Sequence, residues 1–141
     1  MMMALILMLG AIALVILMAD ITPVPQDAQL LLTDTITKTA SFDTPALDLG
    51  ANRAYSPPLP VRVVVSTSAL GTGGNQSYTF TLQESADGST GWAAASAGVA
   101  VTANGVIMIP ASITKRYQKL TLQISGAGTT ITFTAWVNPL R

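Results

Sequence analysis

From Gln29 onward, hydrophobic and polar residues alternate with the period of a strand. In "SYTFTLQE", Tyr78, Phe80 and Leu82 share one face, and Ser77, Thr79, Thr81 and Gln83 share the other. In "KLTLQIS", Leu120, Leu122 and Ile124 oppose Thr121, Gln123 and Ser125. In "TITFTAWV", Ile131, Phe133, Ala135 and Val137 oppose Thr130, Thr132, Thr134 and Trp136. A period of two puts one side of each segment in a core and the other at a surface, as in half-buried antiparallel strands. "VRVVVST" is rich in β-branched residues and reads as a further strand, delivered by the stiff connector "YSPPLP" at residues 55–60. "GVIMIP" reads as a short strand stopped by Pro110. Turn signals separate these runs: "GTGGN" at 71–75, "ADGSTG" at 86–91, "ANG" at 103–105 and "GAG" at 126–128. The first of them reads as a hairpin tip.

The pattern predicts about eight strands and no helix after residue 20. That is an all-β, antiparallel two-sheet sandwich, and the strand number fits a jelly roll. An immunoglobulin-like sandwich, with about seven strands, is the other topology the pattern allows. The β domain spans residues 29–141. Residues 19–28, with Pro23 and Pro25, read as an extended arm because proline fixes its own φ and biases its predecessor away from helix.

Residues 1–18 follow a different rule. Only Gly10 among them is not hydrophobic, and none is charged. The segment is expected to be helical where it belongs to the mature protein. Four readings stand open: a short membrane-spanning helix, which needs about 20 apolar residues; a signal peptide, although a positive n-region is missing; a packing helix; or a chain that begins at Met18.

Composition narrows the chemistry. Seven basic and seven acidic residues leave zero net charge, which argues against a nucleic-acid partner. Charged residues make up 10% of the chain, against about 25% in a typical soluble domain, so Thr, Ser, Ala, Gly and Gln fill the surface. The chain has no Cys and no His. Thiol nucleophiles, disulfides, His-based metal sites and His general bases are therefore all excluded. Asp20, Asp27, Asp34, Asp43, Asp48, Glu84 and Asp87 sit mostly beside turn or arm residues and are expected to cap turns. No spacing among them suggests a glycosidase pair. "GTGGN" leads into a strand and lacks the helix and Lys of a phosphate loop. "DGSTGW" lacks the repeated acidic positions of a calcium loop. No catalytic, cofactor-binding or metal-binding residue emerges. Lys115, Arg116 and Lys119 form the one basic cluster, read as a solvated strand entrance. Trp136 lies on the threonine face of the last strand. It is expected either exposed at an interface, where Trp is enriched, or covered by a small second cluster on the sheet's outer side.

Three stretches carry a resemblance: "ALDLGANRAYSPPLPVRVVVSTSAL", "YTFTLQESADGSTGW" and "KRYQKLTLQISGAGTTITFTAWV". Together they resemble the small capsid cement, or decoration, proteins of tailed bacteriophages. The matching positions are Leu47–Gly50, Val61–Val65, Phe80–Ser85, and Arg116, Tyr117, Leu120, Leu122, Ile124 and Gly126, within residues 27–138. The hydrophobic segment 1–18 departs from that pattern.

The resemblance implies a non-enzymatic jelly roll on the outer surface of an icosahedral virion, bound to major capsid protein. It implies no cofactor and no direct nucleic-acid contact. A homodimer at local two-fold axes is the first expectation for self-association and a homotrimer the second. Contact with a membrane is expected only if residues 1–18 act as an anchor. Flexibility, exposed apolar groups and chain ends single out Ile21, Pro23, Val24, Pro25, Gln29, Tyr55, Pro57, Pro58, Trp136, Leu140 and Arg141 for contacts with the shell or between subunits. The alternative function is a membrane-tethered β-sandwich binding module, such as an adhesin or carbohydrate-binding domain.

Overall fold

A computed structural model describes residues 30–50, 57–71 and 74–139. They form ten strands: β1 (Leu31–Lys38), β2 (Phe42–Asp43), β3 (Leu47–Asp48), β4 (Leu59–Leu70), β5 (Ser77–Ser85), β6 (Ala93–Ala94), β7 (Val99–Ala100), β8 (Gly105–Ile113), β9 (Tyr117–Ser125) and β10 (Ile131–Pro139). All strand pairing is antiparallel. One sheet has the order β1-β10-β4-β8; the other has β2-β9-β5-β6, with β3 also on β9 and β7 also on β5. The described residues form an all-β two-sheet sandwich.

The four short strands make two interrupted edges. Between β2 and β3, Thr44 N–H donates to the Leu120 carbonyl at 3.0 Å, and Leu120 N–H donates to Thr44 Oγ1 at 2.9 Å. Between β6 and β7, Leu82 N–H donates to Ser96 Oγ at 2.9 Å. In both places a hydroxyl stands in for a missing backbone acceptor, so the inner strand's buried N–H stays satisfied. Counting each interrupted edge once leaves eight strand positions. They pair first with last (β1 with β10), second with seventh (β2/β3 with β9), third with sixth (β4 with β8) and fourth with fifth (β5 with β6/β7). The described chain is one nested hairpin, rolled so that successive positions alternate between the sheets except at its tip, where the fourth and fifth pair within the six-stranded sheet.

That topology revises three expectations. The 71–75 loop joins β4 of one sheet to β5 of the other, so it is a crossover and not a hairpin tip. Gly-rich chemistry serves both kinds of turn. Pro110 does not stop its strand; it lies inside β8, opposite Arg62. An edge strand tolerates proline because one row of its N–H groups has no ladder to join. Pro60 lies in β4 beyond Val61, which is the last β4 residue paired with β10.

The core is the space between the sheets. Val61, Val63, Val65, Ile109, Ile131, Phe133, Ala135 and Val137 fill it from one side; Tyr78, Phe80, Leu82, Leu120 and Leu122 fill it from the other. These are the faces that the alternation predicts. Phe80 and Phe133 meet across it edge to face, with ring centroids 5.0 Å apart, a favoured arrangement for ring quadrupoles. Gly126 has φ of 100°, and a Cβ there would strike the Asn75 carbonyl, so the β9–β10 turn requires glycine. Among the described residues, no helix is long and apolar enough to cross a membrane.

Candidate functional site

Three stretches far apart in sequence meet at one end of the six-stranded sheet. β9 carries Tyr117 and Gln118. On one side Asp48 and Leu47 of β3 lie opposite them, and on the other side Ser85 and Glu84 of β5 do. The residues just before Tyr117 and just after Ser85 close the corner.

Arg116 holds β3 in place. Its Nε donates to Asp48 Oδ1 at 2.6 Å and its Nη2 to Asp48 Oδ2 at 2.7 Å, a two-pronged pairing that suits the planar guanidinium. The Arg116 side chain, together with the Gly50 backbone N–H, holds the Asp48 carboxyl down at about 2. The same guanidinium lies 4.9 Å from the centre of the Tyr117 ring.

Glu84 holds the turn between β8 and β9. Its carboxylate accepts the Thr114 N–H and the Thr114 hydroxyl, both at 2.7 Å, and the Lys115 N–H at 3.2 Å. Gln118 is fully buried beside it and donates through Nε2 to the Lys115 carbonyl at 2.9 Å. Its Oε1 has no partner among the described residues. A buried carboxylate costs solvation unless its lone pairs are filled; here a backbone turn fills them.

Ser85 and Asp87 shape the loop after β5. Asp87 accepts the Thr90 hydroxyl at 2.6 Å, the Thr90 N–H at 2.8 Å and the Ser89 N–H at 2.9 Å. The Thr90 hydroxyl, followed by those backbone N–H groups, holds the Asp87 carboxyl well below the usual carboxylate range. Gly88, at φ of 79°, passes so close to Tyr117 that a Cβ would come within 2.9 Å of the ring. Nearby, Lys119 pairs with Asp43 at 2.8 Å and sits 4.6 Å from the Trp92 ring. That ion pair is the first cause of the lowered Asp43 pKa.

Thus Asp43, Asp48, Glu84 and Asp87 are each spent on a turn or a cation. Asp34, the remaining described carboxylate, accepts the Thr35 N–H at 2.8 Å in an exposed position. Of the basic cluster, Arg116 and Lys119 pair within the chain and do not form a free cationic patch. Among the described residues, no group of three or more acidic, His or Cys side chains could hold a metal ion. The corner positions backbone; it does not present an unpaired acid to a substrate.

The expected contact residues fall in three groups. Ile21, Pro23, Val24, Pro25, Gln29, Tyr55, Leu140 and Arg141 lie outside the described residues. Pro57 and Pro58 are exposed where the chain enters β4. Trp136 is on the outer face of its sheet, but it is 8% exposed. The alternative of a second cluster describes it better than free exposure does. Leu31, Trp136, Val64 and Met108 stand opposite one another in one row across all four strands. Trp136 and Val64 are buried yet lie outside the core cluster. Sequence reading missed Val64 because "VVV" has no alternation to betray a second buried face. No protein-family model matches the chain, and no curated protein matches its sequence.

Proposed function

We propose that the chain is a structural cement protein, which binds major capsid subunits on the outside of an icosahedral phage head and stabilises the assembled shell. The observation that carries this reading is the corner. The segments on which the resemblance rests, Leu47–Gly50, Phe80–Ser85 and the run from Arg116, are separated by dozens of residues. They are joined there through the Asp48–Arg116 pair and through the Glu84–Gln118 and Ser85–Tyr117 registers. Residues that resemble a family's pattern and also hold one another in space support a shared architecture. The nested pairing of eight strand positions supports the jelly-roll form of the sandwich, since a rolled long hairpin is how two Greek keys arise from one chain.

The mechanism is mass action. A protein that binds the closed shell better than its dissociated subunits stabilises it by its binding free energy at each site. Many modest interfaces then act together, and no covalent chemistry enters. The arm at residues 21–29, the connector at 55–60 and the tail at 138–141 would make the contacts, and two-fold self-association would place copies at local axes.

Fractionation of producing cells tests the function. The reading expects the chain to purify with virions, at a fixed ratio to major capsid protein, and shells lacking it to disrupt at lower temperature. Recovery with membranes and not with virions would replace this reading with the tethered binding module. A chain lacking residues 19–29 is expected to lose shell binding; unchanged affinity removes the arm from the contact surface.

A further inference from the structure

The row Leu31–Trp136–Val64–Met108 has an uneven burial. Met108, on the free edge strand β8, is 56% exposed; Val64 is 3% exposed and Trp136 8%. A tryptophan lying flat on a sheet still shows its outer ring face to water unless something covers it. All ten strands belong to the two sheets, and no described strand or helix forms a third layer over this face. The row is buried at its two central positions and opens toward both edges, with Leu31 half-buried and Met108 exposed. The chain enters the sandwich at Leu31, a member of the row itself.

We infer that the apolar segment of residues 1–18 of the same chain packs on this outer face, over Trp136 and Val64. The chemistry matches on one flank: the segment carries no charge, and the row Thr35–Thr134–Ser66 is uncharged as well, while on the other flank Arg62 is exposed beside Asn138 and Pro110. The reach suffices. Residues 19–29 extended span up to about 36 Å, while four strands at about 4.8 Å spacing are less than half as wide. The fit also accounts for a segment this apolar in a chain whose described part forms a complete sandwich. The inference does not depend on what the sandwich binds, and the shell-binding experiment above can fail while it stands.

Trp136 is its own reporter once Trp92→Phe leaves it the sole tryptophan. The chain of residues 1–141 in that background is compared with one beginning at residue 19, both checked for strand content by far-UV circular dichroism. The full chain is expected to show blue-shifted emission and weak acrylamide quenching at every protein concentration. The shorter chain should shift to the red, and its quenching constant should rise several-fold. Unchanged quenching in the folded shorter chain overturns the inference. So does protection that survives this deletion but is lost on removing residues 1–29 or in Tyr55→Ala, which would assign the cover to the arm or the connector. Protection that disappears on dilution would assign it to a second copy and overturn it equally. If the shorter chain does not fold, a benzophenone side chain at Thr134 of the full chain is expected to cross-link to residues 1–18 of the same molecule. Cross-links to other segments alone reject the inference.

Discussion

The outer faces of the two sheets are finished in different ways. On the six-stranded sheet, Ser77 faces Ser125, Thr79 faces Gln123, Thr81 faces Thr121 and Gln83 faces Lys119, an unbroken polar ladder. On the four-stranded sheet, Thr35, Thr37, Thr132 and Thr134 make a similar polar surface, bonded across strands at 2.9 and 2.7 Å, but the apolar row cuts across it. The edges differ too. The six-stranded sheet ends in strands of two residues, broken by Thr44–Ala46 and by Ala95–Gly98. The four-stranded sheet ends in β1 of eight residues and β8 of nine, the latter with Val106 and Met108 exposed. Short, interrupted edges discourage pairing with other chains, whereas long apolar ones invite it. One outer face carries a polar ladder between short edges; the other carries an apolar row and ends in long strands.

Substitutions can break that contrast, beginning with the face both sheets share. Phe133→Ala, at the ring contact between the sheets, is expected to cost about 3–5 kcal/mol and to melt both sheets in one urea transition. Trp136→Ala should approach that cost if its face is truly covered, while Gln123→Ala on the polar ladder should stay within about 0.5 kcal/mol. Equal small effects on the two outer faces would erase the distinction. Glu84→Ala leaves the Thr114 and Lys115 N–H groups without their acceptor, and is expected to lower stability by about 1–3 kcal/mol in the same assay. Gly88→Ala should cost about 1 kcal/mol, because φ of 79° is strained for any side chain and Tyr117 leaves no room for a Cβ.

The smallest effect is pH-dependent. Asp48 has a folded-state pKa near 2, against 3.8 ordinarily, so the stability it contributes is present above about pH 4 and lost as pH falls toward 2. The denaturation midpoints of the wild type and Asp48→Asn should therefore differ at neutral pH and converge in acid. A gap that stays constant down to pH 2 would mean that folding does not lower the Asp48 pKa.

Much of the inner layer is legible in the amino-acid order, because burial on one face imprints a period of two. Tyr78, Phe80, Leu82, Leu120, Leu122, Ile131 and Phe133 are all assigned correctly on that ground, and all are nearly inaccessible to water. Three features are not legible, for physical reasons. Val64 and Val63 are both buried, on opposite faces, so burial leaves no contrast between neighbours. Hairpins and sheet-to-sheet crossovers use the same glycine-rich turns, so the nested order is invisible until the strands are paired. The corner depends on partners as far apart as Asp48 and Arg116, and neither residue's local context points to the other. The eight-position count survives because the broken edges each occupy one strand's place.

The nested pairing has a mechanical consequence. The chain enters β1 at Leu31 and leaves β10 at Pro139, on paired strands that run in opposite directions, so both exits lie at the same end of one sheet. Tension applied between the two ends would load the β1–β10 rungs one after another, as a zipper opens. Pulling one exit against the 126–130 turn at the far end would instead load the rungs together, in shear. A fastener tied down only by its tails would yield at low force. The same fold gripped at opposite ends would hold far longer.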